Sequence, residues 1–302
     1  MMKLNNLGKL LAVMAVATTF ELFSLAKPAA ATEVNFIALT TNNSLVRYDS
    51  NSREFKKAIE VNGIDGNLEG IDFRPSNGLL YGVTDTDNVY TIDPDTGAAT
   101  FVSKLSVSFD GGFQSGFDFN PVIDRLRLTG SNDQSFAVNV DTGVVAVGGN
   151  LNYPSGVDPN ITGSAYTNSF AGSPSTSRTT VLYGIDYDLD VLVTQNPMTG
   201  TLTQVGALGF NLAPIAGFDI FSPADGTNAG YVLSGSKLYS IDLTTGAATL
   251  LDDVLGKGDS SEGGFIGLAV TSVDSNDDDD NVTSVDSNED DDKDNNGNYG
   301  KF

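Results

Sequence analysis

The sequence predicts an all-β protein, a β-propeller of five four-stranded blades closed by pairing of the two chain ends. Three observations predict it. A unit of roughly 45 to 55 residues recurs, the period of a propeller blade. Each copy holds short apolar runs separated by turn residues, as strands joined by hairpins require. The 33 Gly against 10 Pro suit many tight turns in a chain that has no Cys and no Trp.

Taken in order, residues 1–31 read as a signal peptide. Lys3 and Lys9 form a basic start, Leu10 to Phe20 an apolar run, and Ala29-Ala30-Ala31 a cleavage site of small residues. The run is too short to span a bilayer and Glu21 ends it, so an exported chain is expected, periplasmic or extracellular, without a membrane span after cleavage. The propeller domain is expected over residues 32–270. It begins at second-strand positions with Phe36-Ile37-Ala38-Leu39, followed by Leu45 to Tyr48 and Ala58 to Val61.

The clearest full unit runs from Gly70-Ile71-Asp72-Phe73 through Leu80 to Val83 and Val89 to Ile92, then an Asp-Thr-Gly turn, to Ala98–Val102. The next runs from Gly116-Phe117-Asp118-Phe119 to Val147, a looser one from Gly163 to Leu202, and the last from Gly217-Phe218-Asp219-Ile220 to Leu251. Gly267-Leu268-Ala269-Val270 is a lone first strand. Joined to the N-terminal fragment it completes a fifth blade, and this one-plus-three closure removes open sheet edges. The recurring Thr-Gly turn predicts a left-handed Gly, where the missing Cβ removes the steric penalty. Paired apolar residues such as Leu79-Leu80 and Val144-Val145 predict blades covered on both faces.

Connections between blades, at 103–114, 148–161 and 252–263, are long, and the third-to-fourth-strand turns are tight. The long-loop face is therefore the expected binding surface for a small molecule, glycan or protein. Residues 271–302 hold ten Asp, one Glu and two Lys and are expected to be a disordered acidic tail. Its repeat Val270–Asn276, echoed at Val282–Asn288, leaves calcium open, although Asp279 and Val285 stand where a calcium loop counted from Asp274 needs Gly and Glu.

Composition excludes several classes. The chain has no His, which removes serine-histidine hydrolysis and ordinary zinc chemistry. The net charge of −23 deepens to −25 once a leader with three Lys and one Glu is cleaved, and such a surface repels nucleic acid and anionic lipid.

A resemblance can be named on the strings Gly70-Ile71-Asp72-Phe73-Arg74-Pro75, Asn120-Pro121-Val122-Ile123-Asp124-Arg125-Leu126-Arg127, Ala165-Tyr166-Thr167-Asn168-Ser169-Phe170-Ala171-Gly172 and Gln195-Asn196-Pro197. Over about residues 35 to 270 the chain resembles the bacterial family called domain of unknown function 4394. The resemblance implies an exported propeller-like domain and brings no established activity.

Asp72, Asp118 and Asp219 occupy one place on three first strands, with Ala165 and Ala269 in the other two. Two readings stay open. Five-bladed glycosidases set acidic residues on inner strands to flank a scissile bond, and the same oxygens suit calcium at a channel mouth near the strand starts, on the long-loop face. Alternatively each Asp accepts backbone amides or pairs with Arg74, Arg125 or Arg127. Arg125 and Arg127 alternate on a strand and share a face fit for an anion, while Tyr166 and Asn168 depart from the repeat. No nucleophile-and-base pair is visible and the missing Trp weakens sugar stacking. The sequence favours a noncatalytic binding or scaffold protein over a carboxylate-based hydrolase or lyase, calcium-dependent or not.

Overall fold

The computed structural model describes residues 34–49, 54–253 and 264–272. The expected signal peptide, and the expected tail beyond Ser272 with its calcium reading, lie outside the described residues. Among the described residues no helix is long and apolar enough to cross a membrane.

Among the described residues twenty-one strands form five antiparallel sheets. Blade 2 is β5 (Leu68–Phe73), β6 (Leu80–Thr84), β7 (Asn88–Ile92) and β8 (Ala99–Lys104), from innermost to outermost. Blade 3 repeats it with β9 (Ser115–Asn120), β10 (Arg125–Gly130), β11 (Ser135–Asn139) and β12 (Val144–Val147). Blade 4 is β13 (Ile161–Tyr166), β14 (Leu182–Asp186), β15 (Val191–Gln195) and β16 (Leu202–Ala207). Blade 5 is β17 (Ala216–Ala224), β18 (Thr227–Ser234), β19 (Lys237–Ile241) and β20 (Ala248–Asp253).

Blade 1 joins the chain ends. Its innermost strand β21 (Phe265–Ser272) pairs antiparallel with β1 (Val34–Thr40), from Val34 opposite Ser272 to Thr40 opposite Phe265. Next comes β2 (Ser44–Asp49), and the outer strand is split into β3 (Glu54–Phe55) and β4 (Ile59–Glu60), both paired with β2. The innermost strands pack in the order β5, β9, β13, β17, β21, and β21 lies against β5. The ring is closed by the one-plus-three pairing that the split ends predict.

Burial falls from the axis outward. Every residue of β9 and β13 is buried, whereas β12 and β20 are largely exposed. This corrects the reading of paired apolar residues: Leu79 is 50% and Val144 59% exposed, because one precedes its strand and the other lies on an outer strand that no neighbour covers.

Two sets of glycines set the geometry. In the β7–β8 turn Gly97 has φ of 72°, its N–H donates to Asp93 O at 2.8 Å, and Asp93 Oδ1 accepts the amides of Asp95 and Thr96. Gly143, Gly200 and Gly246 repeat the left-handed turn the sequence predicts. The second set is Gly70, Gly116, Gly163, Gly217 and Gly267, one on each innermost strand. A Cβ on Gly70 would sit 2.6 Å from Phe117 Cβ, and one on Gly217 would sit 2.6 Å from the Gly267 carbonyl carbon, so only Gly lets adjacent blades meet this closely.

The core is divided among the joints between blades. Among the described residues the joint of blades 2 and 3 holds a cluster of twelve buried apolar residues, Phe119 and Leu126 among them, whereas around blade 4's side of its joint with blade 3 only five cluster. Polar groups make up the difference, and they define the sites below.

Candidate functional site

The three aspartates sit where two innermost strands meet. A strand at the axis has one edge without a ladder partner, so an amide on that edge needs another acceptor. Five such amides, one per blade, belong to Phe73, Phe119, Tyr166, Ile220 and Val270. Asp72 accepts Phe119 N at 2.9 Å across the joint and Phe73 N at 2.7 Å within its own strand. Asp219 likewise accepts Val270 N at 2.7 Å and Ile220 N at 2.6 Å. Asp118 accepts Tyr166 N at 3.0 Å.

The three carboxylates thus satisfy all five amides with five of their six oxygens. This accounts for Ala165 and Ala269. The amides that acids at those places would cap, Ile220 N and Phe73 N, are already taken by the oxygens of Asp219 and Asp72. The sixth oxygen, Asp118 Oδ1, is buried without a hydrogen-bond partner. Burial pushes all three acids up, to about 7 for Asp219, whose capping amides oppose the shift. Asp72 is raised by burial and then by the charge of Asp219; Asp118 is raised by burial and then by the charges of both others.

These acids are not near the strand starts. Asp72 is the penultimate residue of β5, because that strand begins two residues before the repeat's Gly. Accordingly the channel opens on the face opposite the long loops. On the long-loop face Gln114 plugs it, donating from Nε2 to Ile266 O at 2.7 Å and Ala216 O at 3.1 Å. On the other face a cavity of about 660 Å³ is floored by Asp72 and Asp219 and walled by Phe73, Phe221 and Arg74. Among the described residues no group of three or more acids is placed to hold a metal ion. A calcium ion at Asp72, Asp118 and Asp219 would have to share five of their six oxygens with amides those oxygens already accept.

The segment 167–181 overhangs this mouth. It leaves blade 4 and reaches the β5–β6 turn of blade 2, where Gly172 N donates to Pro75 O at 2.9 Å, so that Phe170 and Ala171 form part of the cavity wall. Asn168 anchors its base. With φ of 59° it donates from Nδ2 to Thr179 O and accepts Gly226 N at its own Oδ1, while its backbone N–H donates to Asn228 Oδ1. Opposite, Arg74 is held by Asp124 (2.6 and 2.9 Å) and Asp141 (2.7 and 2.9 Å), a clamp between blades 2 and 3. Arg47 pairs with Asp95 between blades 1 and 2.

The joint of blades 3 and 4 is built differently. Arg127, 4% exposed, donates from Nε to Tyr166 Oη at 3.3 Å and from Nη1 to Ser135 Oγ at 3.0 Å. Among the described residues it has no carboxylate partner. Gln195 also donates to Ser135 Oγ, at 3.0 Å, and Thr129 shares a 2.6 Å hydrogen bond with Ser164. Arg125 is turned to the carbonyl of Asp124 instead, so the two arginines do not converge on one anion. Of the residues singled out by sequence, the structure brings Arg127 and Tyr166 together, places the three Asp around the axis, and gives Asn168 a loop-anchoring position. Sequence reasoning missed Gln114 and Ser135, which carry no pattern, and did not single out Gln195 and Phe170, although both stand in the quoted family strings.

The model of a family described as a domain of unknown function (DUF4394) matches residues 44–268. No curated protein matches the chain. Among solved structures, a nidogen/laminin complex is similar over 78% of this chain and 98% of that one, at 14% identity and a TM-score of 0.45. A protein of unknown function from Bacteroides thetaiotaomicron is 17% identical over 75% of this chain and 60% of its own, with a TM-score of 0.44. Another from Bacteroides caccae is 9% identical over 77% of both, with a TM-score of 0.39. With a family match that spans well over half its length, the chain belongs to the family of domains of unknown function DUF4394.

Proposed function

We propose that this protein is an exported, noncatalytic binding propeller whose ligand enters the blind channel mouth. The observation that supports this most is the fate of the inner acids. A hydrolase or lyase needs an acid and a base or nucleophile facing one reacting bond. Here Asp72 and Asp219 spend both oxygens on amides, and Asp118, 1% exposed, does not reach the mouth. What remains at the mouth is a concave, partly aromatic wall over a polar floor, the usual form of a small-ligand site.

The test is a thermal-shift screen of small metabolites on the intact protein and on Ala171→Trp, which fills the mouth from an exposed position. Ligands that raise the melting temperature of the parent and not of the variant support the reading. Turnover of chromogenic glycosides or esters that disappears in a folded Asp219→Asn protein would replace binding by catalysis. Export is checked separately, by whether the secreted chain begins at Thr32.

A further inference from the structure

We propose a second binding site, for an uncharged sugar chain, in the groove that runs over the joint of blades 3 and 4. It is independent of the channel-mouth reading. The groove measures about 600 Å³ and is lined by Asn120, Tyr166, Gln195, Asn196 and five threonines, with three apolar residues. No charged side chain lines it, in a chain that carries 39 Asp and Glu.

Its polar groups are locked from behind. Asn120 Oδ1 accepts the amides of Val122 at 2.9 Å and Ile123 at 3.2 Å, so its Nδ2 is the end left to donate. Asn196 Oδ1 accepts Met198 N at 3.0 Å and Thr199 N at 3.1 Å, with the same consequence. Tyr166 Oη accepts from Arg127, which leaves its proton. Gln195 is oriented the other way: its Nε2 is bound to Ser135, and its Oε1, in a side chain 5% exposed, has no partner. Buried acceptors are rarely left unmet in a native structure. The groove therefore presents fixed amide donors and threonine hydroxyls over a buried layer, Tyr166 and Gln195, in which one acceptor is unmet.

A hydroxyl both donates and accepts, so a row of sugar hydroxyls matches this arrangement. A charged chain finds no counter-charge among the lining residues. A peptide adding as a strand would need free main chain, and beside the groove Gly200 O and Leu202 N are already bonded to Asn152, at 3.0 and 2.9 Å. Recognition by hydrogen bonds rather than ring stacking also agrees with a chain that has no Trp.

The experiment is calorimetric titration of the full chain with cellohexaose, maltohexaose, mannohexaose, xylohexaose and chitohexaose. At least one should bind with a Kd between micromolar and millimolar. Thr199→Arg, at an exposed turn position on the groove's rim, should abolish that binding, Gln195→Leu should weaken it about tenfold, and Ala171→Trp should leave it unaltered. The proposal is overturned if no hexasaccharide binds at millimolar concentration, if Thr199→Arg binds as the parent does, or if Ala171→Trp removes binding. It is equally overturned if a neutral Ser- and Asn-rich peptide binds the groove and the sugars do not.

Discussion

The joint between blades 2 and 3 and the joint between blades 3 and 4 share a backbone plan and differ in chemistry. The first encloses Phe119, Leu126 and Leu128, all fully buried, fills Asp72 with two amides, and pairs Arg74 with two carboxylates. The second encloses fewer apolar groups, leaves one oxygen of Asp118 unpaired, and buries Arg127 with hydroxyl partners alone. The glycine ring and the capping acids hold both joints. Given that scaffold, a joint can give up apolar packing and keep its geometry, and polar chemistry concentrates where it has done so.

Substitutions can break this contrast or sharpen it. The largest effect is expected at Phe119→Ala, which empties a fully buried site packed edge-on against Tyr81 and should cost about 3–5 kcal/mol in urea unfolding. A loss equal to that of an exposed residue would mean the joint is not the core. Next is Arg74→Met, which strands the half-buried Asp124 while Asp141 returns to water, and should cost about 2 kcal/mol, while Arg127→Met, which strands no carboxylate, should stay within about 1 kcal/mol. Equal losses would erase the distinction between the clamp and the polar network.

Smaller effects separate the acids themselves. Asp72→Asn keeps one acceptor for two amides and should cost about 1–3 kcal/mol. Asp118→Asn keeps the single acceptor it needs, for Tyr166 N, and removes a buried charge, so at pH 8 it should be neutral or stabilising. If Asp118→Asn costs as much as Asp72→Asn, the count of oxygens against amides is wrong.

The last effect is a pH slope. Asp219 titrates at about 7 in the fold against an ordinary 3.8, so the folded state holds the proton more tightly than the unfolded one. The resulting stability is fully present below the ordinary value and is lost as pH rises toward 7. Asp141, lowered by Arg74, has the opposite sign and loses its contribution only as pH falls below the ordinary value. Unfolding at pH 5 and pH 8 should show the parent more stable at pH 5, with a shallower difference in Asp118→Asn. A parent more stable at pH 8 would mean that burial does not raise these acids.

Much of the fold was legible because it is written in repetition. The Gly-apolar-Asp string and the Thr-Gly turn mark the same points of successive blades, and a lone Gly267–Val270 strand has meaning only if the ring closes on Phe36–Leu39. The three Asp were legible as a set, and accepting backbone amides was one of the two readings left open; which amides was not legible, since three of the five belong to neighbouring strands some 47 to 51 residues away. The length of the connections between blades does not mark the face of the cavity. A single side chain, Gln114, closes the long-loop end, and no spacing rule predicts a plug. The polar joint was visible only as Arg127 and Tyr166; Ser135 and Gln195 complete it through folding alone.

The closure of blade 1 also fixes an order of events during synthesis. Its innermost strand is β21, so β1 emerges first and waits, its inner edge unpaired, until the other four blades and β21 have been made. Contacts this distant in sequence are slow to form, and the register from Val34–Ser272 to Thr40–Phe265 has to be found by two ends that diffuse together. Through that interval β1 is an open strand able to pair with another copy's β21. Crowding of nascent chains therefore favours exchange of end strands between copies.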